Sequence, residues 1–139
     1  MKLVLIIAEA GVNHNGKLST AKKMVKIAKD SGADFIKFQS FNCDYLLRPD
    51  SKKAAYQIKN TKNESENQYK MLKKYQLSLK DHLKIIEECK KNHIKFMSSP
   101  FDLPSIKLLK KLKVKYIKIP SGEINNIPYL MEIGKLKKK

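Results

Sequence analysis

Tryptophan is absent from this 139-residue sequence, and cysteine occurs only twice, at Cys43 and Cys89. Two distant cysteines support neither a disulfide framework nor a zinc knuckle. No apolar run approaches the roughly 18–20 residues that a membrane-spanning helix requires. The apolar run Leu3–Ala8 is ended by Glu9 and has no convincing signal-peptide cleavage site, so it is predicted to be a buried strand. We therefore expect a cytoplasmic protein without a membrane partner.

Arginine is nearly absent as well. Arg48 is the single arginine among 30 basic residues, which oppose 13 acidic ones and leave a formal charge of +17. Such a charge suggests nucleic-acid binding. Phosphate and groove recognition favour arginine, however, and the lysines here are scattered over every predicted helix. We expect a solvated lysine-rich surface and no nucleic-acid partner, with a lysine-rich nucleic-acid-binding module as an alternative.

Short apolar runs alternate with stretches of helical spacing along the chain. The runs of strand length are Leu3–Ala8, Ala33–Phe38, Lys95–Met97 and Val114–Lys118. The helical spacing predicts helices at Leu18–Lys29, Leu79–Lys91, Ile106–Lys111 and Ile127–Leu136. This alternation predicts an α/β fold in which helices cover a parallel sheet.

One long polar segment, Asn42–Gln76, interrupts this alternation. It contains Pro49 and a predicted helix at Glu64–Tyr75. Long connections after a strand commonly cover or shape a site at the strand ends. A surface loop with no role at the site is an equally good interpretation of this composition.

Two architectures share this order of elements, an open doubly wound sheet and a (β/α)8 barrel. No G-x-G-x-x-G sequence follows the first strand, which argues against a dinucleotide-binding sheet. Lys37 and Gln39 share one face of the second strand, and Lys118 lies opposite Ile117 in the same manner. A barrel needs eight strand–helix units and about 250 residues. We therefore expect residues 1–139 to form the N-terminal half of a (β/α)8 TIM barrel, with four parallel strands and flanking helices.

Polar side chains follow each of the four predicted strands. Because parallel strands end on one face, these side chains are expected to converge on one pocket. The candidates are Glu9, Lys37, Gln39, Ser99, Lys118, Ser121 and Glu123. A lysine inside a strand is rare unless it is paired or binds an anion. Glu9 and Glu123 either pair with the lysines or act on substrate hydroxyls, protons and water.

The three histidines provide no pair with metal-ligand spacing, so no metal ligands are predicted in this chain. His14 lies in the first turn, where it either reaches the pocket or stabilises the turn. His82 and His93 are predicted at the surface, on or after a helix. Ser98 precedes Pro100 by two residues and has no histidine motif beside it, so a nucleophilic triad is not expected.

Four segments resemble, in order, the motifs of the sialic acid synthase family, which includes N-acetylneuraminate and N,N'-diacetyllegionaminate synthases. The segments are Ile7–Gly16, Gly32–Ser40, Ser98–Asp102 and Lys118–Glu123. Members of this family condense phosphoenolpyruvate with an N-acetylated mannose-type sugar into a nonulosonic acid and release phosphate. The resemblance implies a transferase that forms a carbon–carbon bond in carbohydrate biosynthesis. The segment Lys52–Gln57 and the first two motifs look more like the legionaminate type than the N-acetylneuraminate type. Pseudaminate synthases are similar too, but they usually differ in the residues after the first glutamate.

The resemblance also implies roles for the candidate residues. Those implied to bind phosphoenolpyruvate are Lys37, Gln39, Ser99, Lys118 and Ser121. Glu9 and Glu123 are implied to be catalytic, Glu9 at the sugar hydroxyls or a metal-bound water and Glu123 near the reacting carbon and the attacking water. The family's divalent metal (Mn or Mg) is held by histidines of later strands, and its C-terminal antifreeze-like domain follows the barrel. We expect both to lie outside this sequence, the chain alone to be inactive, and the family to form a homodimer.

A second enzymatic interpretation uses the same barrel for different chemistry. A Schiff-base aldolase would employ Lys37 or Lys118 as the nucleophile. That mechanism needs one neutral, desolvated lysine, whereas the synthase interpretation keeps both lysines charged. The aldolase therefore stays an alternative that the sequence does not decide.

Overall fold

The computed structural model describes residues 4–139, so the first residue of the predicted first strand, Leu3, lies outside the described residues. The strands are β1 (Ile7–Gly11), β2 (Phe35–Ser40) and β3 (Lys95–Pro100). The helices are α1 (Leu18–Asp30), α2 (Cys43–Leu46), α3 (Ala55–Thr61), α4 (Gln68–Lys73), α5 (Leu79–Lys91), α6 (Leu103–Lys111) and α7 (Ile127–Gly134). A 3-10 turn at Ser121–Glu123 precedes α7. No helix among residues 4–139 has the length and apolar character needed to cross a membrane.

The described sheet has the order β1–β2–β3, and both strand pairs are parallel. β2 is central, and its residues Ile36 and Phe38 face helices α1 and α5. The core between sheet and helices includes Val25 from α1 and Ile85 from α5, which have no exposed surface. The predicted α/β class with a parallel sheet is thus confirmed.

Side-chain caps place the helices that begin near the strand ends. α5 begins with a capping box, in which the Ser78 hydroxyl accepts from the Asp81 amide and the Asp81 carboxylate accepts from the Ser78 amide. α6 is capped by Asp102, whose carboxylate accepts from the Ser105 amide at 2.7 Å. The other Asp102 oxygen accepts from the Asn42 amide at 2.6 Å, so the same side chain ties the end of β2 to the start of α6.

The first strand departs from the prediction. β1 begins at Ile7 rather than at Leu3, and Leu5 and Ile6 are 58% and 51% exposed. The prediction of a buried strand over Leu3–Ala8 is therefore wrong. Within residues 4–139, β1 pairs only with β2, so its other edge is open. An apolar run looks the same in the sequence whether its strand is central or at an edge.

The predicted fourth strand, Val114–Lys118, forms no ladder in the described residues. One parallel bridge joins Ile117 to Ser98, and the Lys118 amide donates to the Ser98 carbonyl at 3.3 Å. On the other side, the Ile117 amide donates to the Lys139 carbonyl at 2.8 Å. The described sheet therefore has three strands and a bridged fourth segment instead of four strands, and the half-barrel stays a prediction.

The long connection is folded rather than extended. The helix predicted at Glu64–Tyr75 is the shorter α4, which is capped by the Asn67 side chain, and α3 was not predicted. The nearly buried Lys53 ammonium contacts the Thr61 hydroxyl at 3.1 Å and the Glu66 carboxylate at 3.0 Å. These contacts join the start of the connection to its later half.

Candidate functional site

The carboxyl ends of β1 and β2 bring a carboxylate and an ammonium group together. The parallel register pairs Glu9 with Lys37, and Lys37 Nζ forms an ion pair with Glu9 Oε2. The Lys37 side chain is 15% exposed, whereas the Glu9 side chain is 50% exposed. A largely buried ammonium group is costly without a partner. Glu9 supplies that partner and remains accessible to a ligand.

Gly11 makes room for this pair, and the sequence analysis did not identify it as a site residue. Its φ of +53° lies in the left-handed region, which favours glycine. A Cβ atom at this position would lie 3.3 Å from Glu9 Oε1 and 3.6 Å from Gln39 Nε2. Because Gly11 has no side chain, the Glu9 carboxylate and the Gln39 amide can both lie close to its backbone. The sequence signal that could have indicated this role is a glycine two residues after Glu9, the acidic residue near the end of the first strand.

The register between β2 and β3 places Gln39 beside Ser99. Lys37 and Gln39 are two residues apart on β2 and therefore share a face, so Ser99 lies on that face too. Ser99 is 3% exposed. Ser98 belongs to the opposite face, where its hydroxyl bonds to Ser40.

The bridged fourth segment adds a second lysine. Because Ile117 is bridged to Ser98 in the parallel sense, the next residue, Lys118, lies level with Ser99. We define the strand-end site as the set that this pairing gathers: Glu9, Lys37, Gln39, Ser99 and Lys118. Ammonium, amide and hydroxyl groups donate hydrogen bonds to phosphate and carboxylate oxygens. The set therefore suits a small anion, with a carboxylate beside it that accepts bonds from hydroxyls.

Ser121 and Glu123 lie beyond the strands, on the 3-10 turn. The Glu123 carboxylate accepts a bond from the Asn126 side chain at 2.7 Å. It also lines a cavity of about 520 Å³ together with Tyr45 and Lys107, which come from α2 and α6. No described contact joins Glu123 to Lys37. The residues that line this cavity include none of the five residues of the strand-end site.

Two histidines are buried in the layer between sheet and helices. His82 has no exposed surface, so its predicted surface position is wrong; the exposed position predicted for His93 is confirmed. His14 is also fully buried, and its Nδ1 accepts from the Gly16 amide at 3.0 Å, so it stabilises the turn. Burial is the main cause that lowers the pKa of both His14 and His82. Spacing alone did not reveal that α5 turns His82 towards the sheet.

The two cysteines are unreactive core residues. Both thiols are buried and free. Burial raises the pKa of Cys43, and it raises the pKa of Cys89 to about 12. Thiolates are the nucleophilic form of cysteine, so neither residue is suited to covalent catalysis.

The part of the chain that the structure describes contains no group of three or more histidine, cysteine, aspartate or glutamate side chains that could hold a metal ion. The divalent metal implied by the family resemblance, whose ligands are expected outside this sequence, stays a prediction. The strand-end site itself consists of ammonium, amide, hydroxyl and carboxylate groups of this chain.

Known proteins resemble this chain in sequence and in structure. The chain is 56% identical over 139 residues to the N,N'-diacetyllegionaminic acid synthase of Campylobacter jejuni, covering 100% of this chain and 41% of the relative. It is 52% identical over 132 residues to the synthase of the same name from Legionella pneumophila, covering 95% and 37%. A solved N-acetylneuraminic acid synthetase from Leptospira borgpetersenii superposes with a TM-score of 0.76 and 32% identity, covering 97% of this chain and 42% of that one.

These alignments show that the chain spans about two fifths of the length of the relatives it matches. The family model for the NeuB family matches residues 24–139. That match includes Lys37, Gln39, Ser99 and Lys118 of the strand-end site. The chain therefore belongs to the NeuB family, together with synthases of legionaminic and sialic acids.

Proposed function

We propose that this chain supplies the phosphoenolpyruvate-binding part of a nonulosonic acid synthase of the legionaminic type. The observation that carries the proposal is the strand-end site, where Lys37, Gln39 and Ser99 lie on one face beside Glu9 and the bridge at Ile117 brings the backbone of Lys118 next to β3. The similarity to two N,N'-diacetyllegionaminic acid synthases supports the choice of product class. The acceptor would be an N-acetylated mannose-type sugar.

The proposed reaction forms one carbon–carbon bond and replaces the carbon–oxygen bond to phosphate with one to the oxygen of water. The methylene carbon of phosphoenolpyruvate attacks the sugar aldehyde, whose oxygen takes up a proton and becomes a hydroxyl. Water then adds to the former enol carbon and gives up a proton, and phosphate departs with cleavage of its bond to that carbon, which becomes the keto group. Lys37 and Lys118 would bind the phosphate and carboxylate groups, assisted by Gln39 and Ser99. Glu9 would then release Lys37 to the ligand and accept hydrogen bonds from sugar hydroxyls.

The roles of Ser121 and Glu123 are part of the same proposal. Ser121 would donate a hydrogen bond to the phosphoenolpyruvate anion, and Glu123 would take a proton from the attacking water. Glu123 pairs with a neutral amide, Asn126, and with no described lysine. Its carboxylate is therefore available as a proton acceptor.

We also propose that the sheet continues into a closed barrel with strands that lie outside this sequence. Apolar side chains exposed at both ends of the sheet support this. Ile6 is 51% exposed beside β1, and Ile124, Ile127 and Met131 are 61–68% exposed beyond the fourth segment. The chain alone would then lack catalytic activity. The cytoplasmic location, the homodimer and the absence of a nucleic-acid partner remain predictions.

The Schiff-base alternative is less well supported by the site. An imine-forming lysine attacks as a neutral amine, whereas the ion pair with Glu9 engages Lys37 as a cation. The strand-end site also offers further donors for an anion, which an aldolase lysine does not require. We therefore favour the synthase.

Phosphoenolpyruvate binding to the chain tests the proposal. Isothermal titration at low ionic strength should detect binding, and Lys37→Gln should weaken it by about tenfold, equivalent to about 1.4 kcal/mol. Lys26→Gln is the matched control, because Lys26 pairs with Asp30 on the exposed face of α1. Equal losses in both variants would indicate attraction to net charge and contradict a specific site. Phosphate release by the chain alone would contradict the proposed inactivity.

A further inference from the structure

A buried hydrogen-bond network lies directly behind the strand-end site, on the helix side of the sheet. His82 Nδ1 lies 2.8 Å from the Ser78 carbonyl oxygen, and His82 Nε2 lies 2.9 Å from the Ser40 hydroxyl. The Ser40 and Ser98 hydroxyl oxygens are 2.7 Å apart. The Ser98 hydroxyl oxygen also lies 3.1 Å from the Phe38 carbonyl oxygen. The network therefore joins the first turn of α5 to the ends of β2 and β3.

The chemistry of each group determines the direction of these bonds. A carbonyl oxygen only accepts, so His82 Nδ1 carries the proton and donates to Ser78. Nε2 of a neutral imidazole is then an acceptor, and Ser40 must donate to it. The Ser40 proton is used in this bond, so the single Ser98 proton is donated to Ser40 at 2.7 Å rather than to the more distant Phe38 carbonyl. Each polar atom of His82 thus has one defined partner.

The network is adjacent to site residues in both strands. Ser40 follows Gln39 in β2, and Ser98 precedes Ser99 in β3. Successive residues of a strand point to opposite faces. The hydroxyls that bond to His82 and to each other therefore hold the backbone from which Gln39 and Ser99 project on the other face.

The network also reaches the end of the long connection. Ser78, whose carbonyl accepts from His82, caps α5 directly after that connection. Two residues earlier, the Gln76 side chain accepts from the Cys43 amide at 3.0 Å, at the start of the same connection. Both ends of the connection are therefore tied close to the same strand ends. His82 is the buried residue that links them to the sheet.

We infer that His82 is a positioning residue, which fixes Gln39 and Ser99 for anion binding through Ser40 and Ser98. This inference rests on the proposed phosphoenolpyruvate site for its functional consequence. It adds a residue that touches no ligand and that belongs to none of the motifs identified in the sequence. Its structural consequence, the fixed ends of β2 and β3, holds without any ligand.

Two substitutions of His82 separate hydrogen bonding from packing. His82→Leu fills the core with an apolar side chain but removes the bonds to Ser78 and Ser40. It should weaken phosphoenolpyruvate binding by about tenfold. His82→Gln retains one amide donor for Ser78 and one acceptor for Ser40, and it should restore the affinity to within about threefold of the parent chain. Isothermal titration measures both. Equal affinities for the leucine variant and the parent chain would overturn the inference.

Amide hydrogen exchange tests the positioning without a ligand. The Phe101 amide donates to the Ser40 carbonyl at 3.0 Å, so its protection reports the joined ends of β2 and β3. We expect His82→Leu to reduce this protection selectively, and Ser40→Ala to do the same if the leucine variant does not fold. Cys89→Ala is the control, because Cys89 is buried further along α5 and its thiol forms no hydrogen bond within residues 4–139.

The two measurements distinguish failure of the inference from failure of the proposed function. Selective loss of Phe101 protection without any phosphoenolpyruvate binding by the parent chain would support the positioning and contradict the proposed site. A uniform loss of protection in His82→Leu, matching that of Cys89→Ala, would overturn the positioning whatever the affinity.

Discussion

The middle and the edge of the sheet differ sharply, although both are built from similar apolar runs. In β2, Ile36 and Phe38 are at most 1% exposed, because strands flank it on both sides and helices cover its outer face. Beside β1, Leu5 and Ile6 are more than half exposed. This difference in exposure shows that the neighbouring strands and helices, rather than the residue type, determine burial here. The strand-end site spans both regions, with Glu9 on the open strand and Lys37 on the covered one.

The largest expected difference in stability is between two isoleucine-to-alanine substitutions, one in the middle of the sheet and one at its edge. Ile36→Ala should lower the free energy of unfolding by about 2–5 kcal/mol, because it leaves a cavity in a packed core. Ile6→Ala should change it by less than about 0.5 kcal/mol, because the side chain is mostly in water. Urea unfolding followed by circular dichroism measures both values. Similar losses at the two positions would mean that the edge is covered in solution.

A smaller effect is expected where the open strand meets the site. Gly11→Ala should cost about 1–2 kcal/mol of stability, because alanine is strained at positive φ. It should also weaken phosphoenolpyruvate binding, since its Cβ would crowd Glu9 and Gln39. Gly122→Ala is the matched control, because nothing lies within 4 Å of a Cβ there. Unchanged binding in Gly11→Ala would show that the space above the strand ends is not used.

The smallest expected effect is a pH dependence of the free energy of unfolding, which comes from the two histidines buried between sheet and helices. Burial lowers the pKa of His14 and His82 below the ordinary value of 6.5, so the unfolded chain binds protons more readily than the folded one. Stability from these residues is therefore fully present above pH 6.5 and is lost as the pH falls below it. Asp81, the residue before His82 in α5, has its pKa lowered mainly by hydrogen bonds from Ser78, so its contribution to stability is lost only at more acidic pH.

Urea midpoints measured at about pH 7.5 and about pH 5.5 test this dependence. The midpoint should fall at the lower pH, and it should fall less in His82→Gln, which has no titrating imidazole at that position. An identical decrease in both proteins would assign the pH dependence to other groups. Burial of the histidines would then not explain how the stability of the chain depends on pH.

Much of the site could be predicted because it depends on local order. Alternation within β2 places Lys37 and Gln39 on one face, and parallel pairing then brings Glu9 and Ser99 beside them. Glu123 was harder to predict, because it lies on a turn and no strand periodicity fixes its direction. His82 was missed for a different reason: helical spacing shows which residues share a face but not which neighbour that face meets.

The sequence by itself determined the parallel α/β class, the main helices, the NeuB motifs and the face on which the strand-end site forms. The class, the helices and the face follow from periodicity and capping, which act over a few residues, whereas the motifs were identified by their resemblance to those of a known family. The tertiary structure alone decided that Leu5 and Ile6 are exposed, that Lys37 pairs with Glu9, and that His82 bonds to Ser40. Each of these depends on a partner that is distant in the chain, and burial and charge pairing are properties of the assembled neighbours.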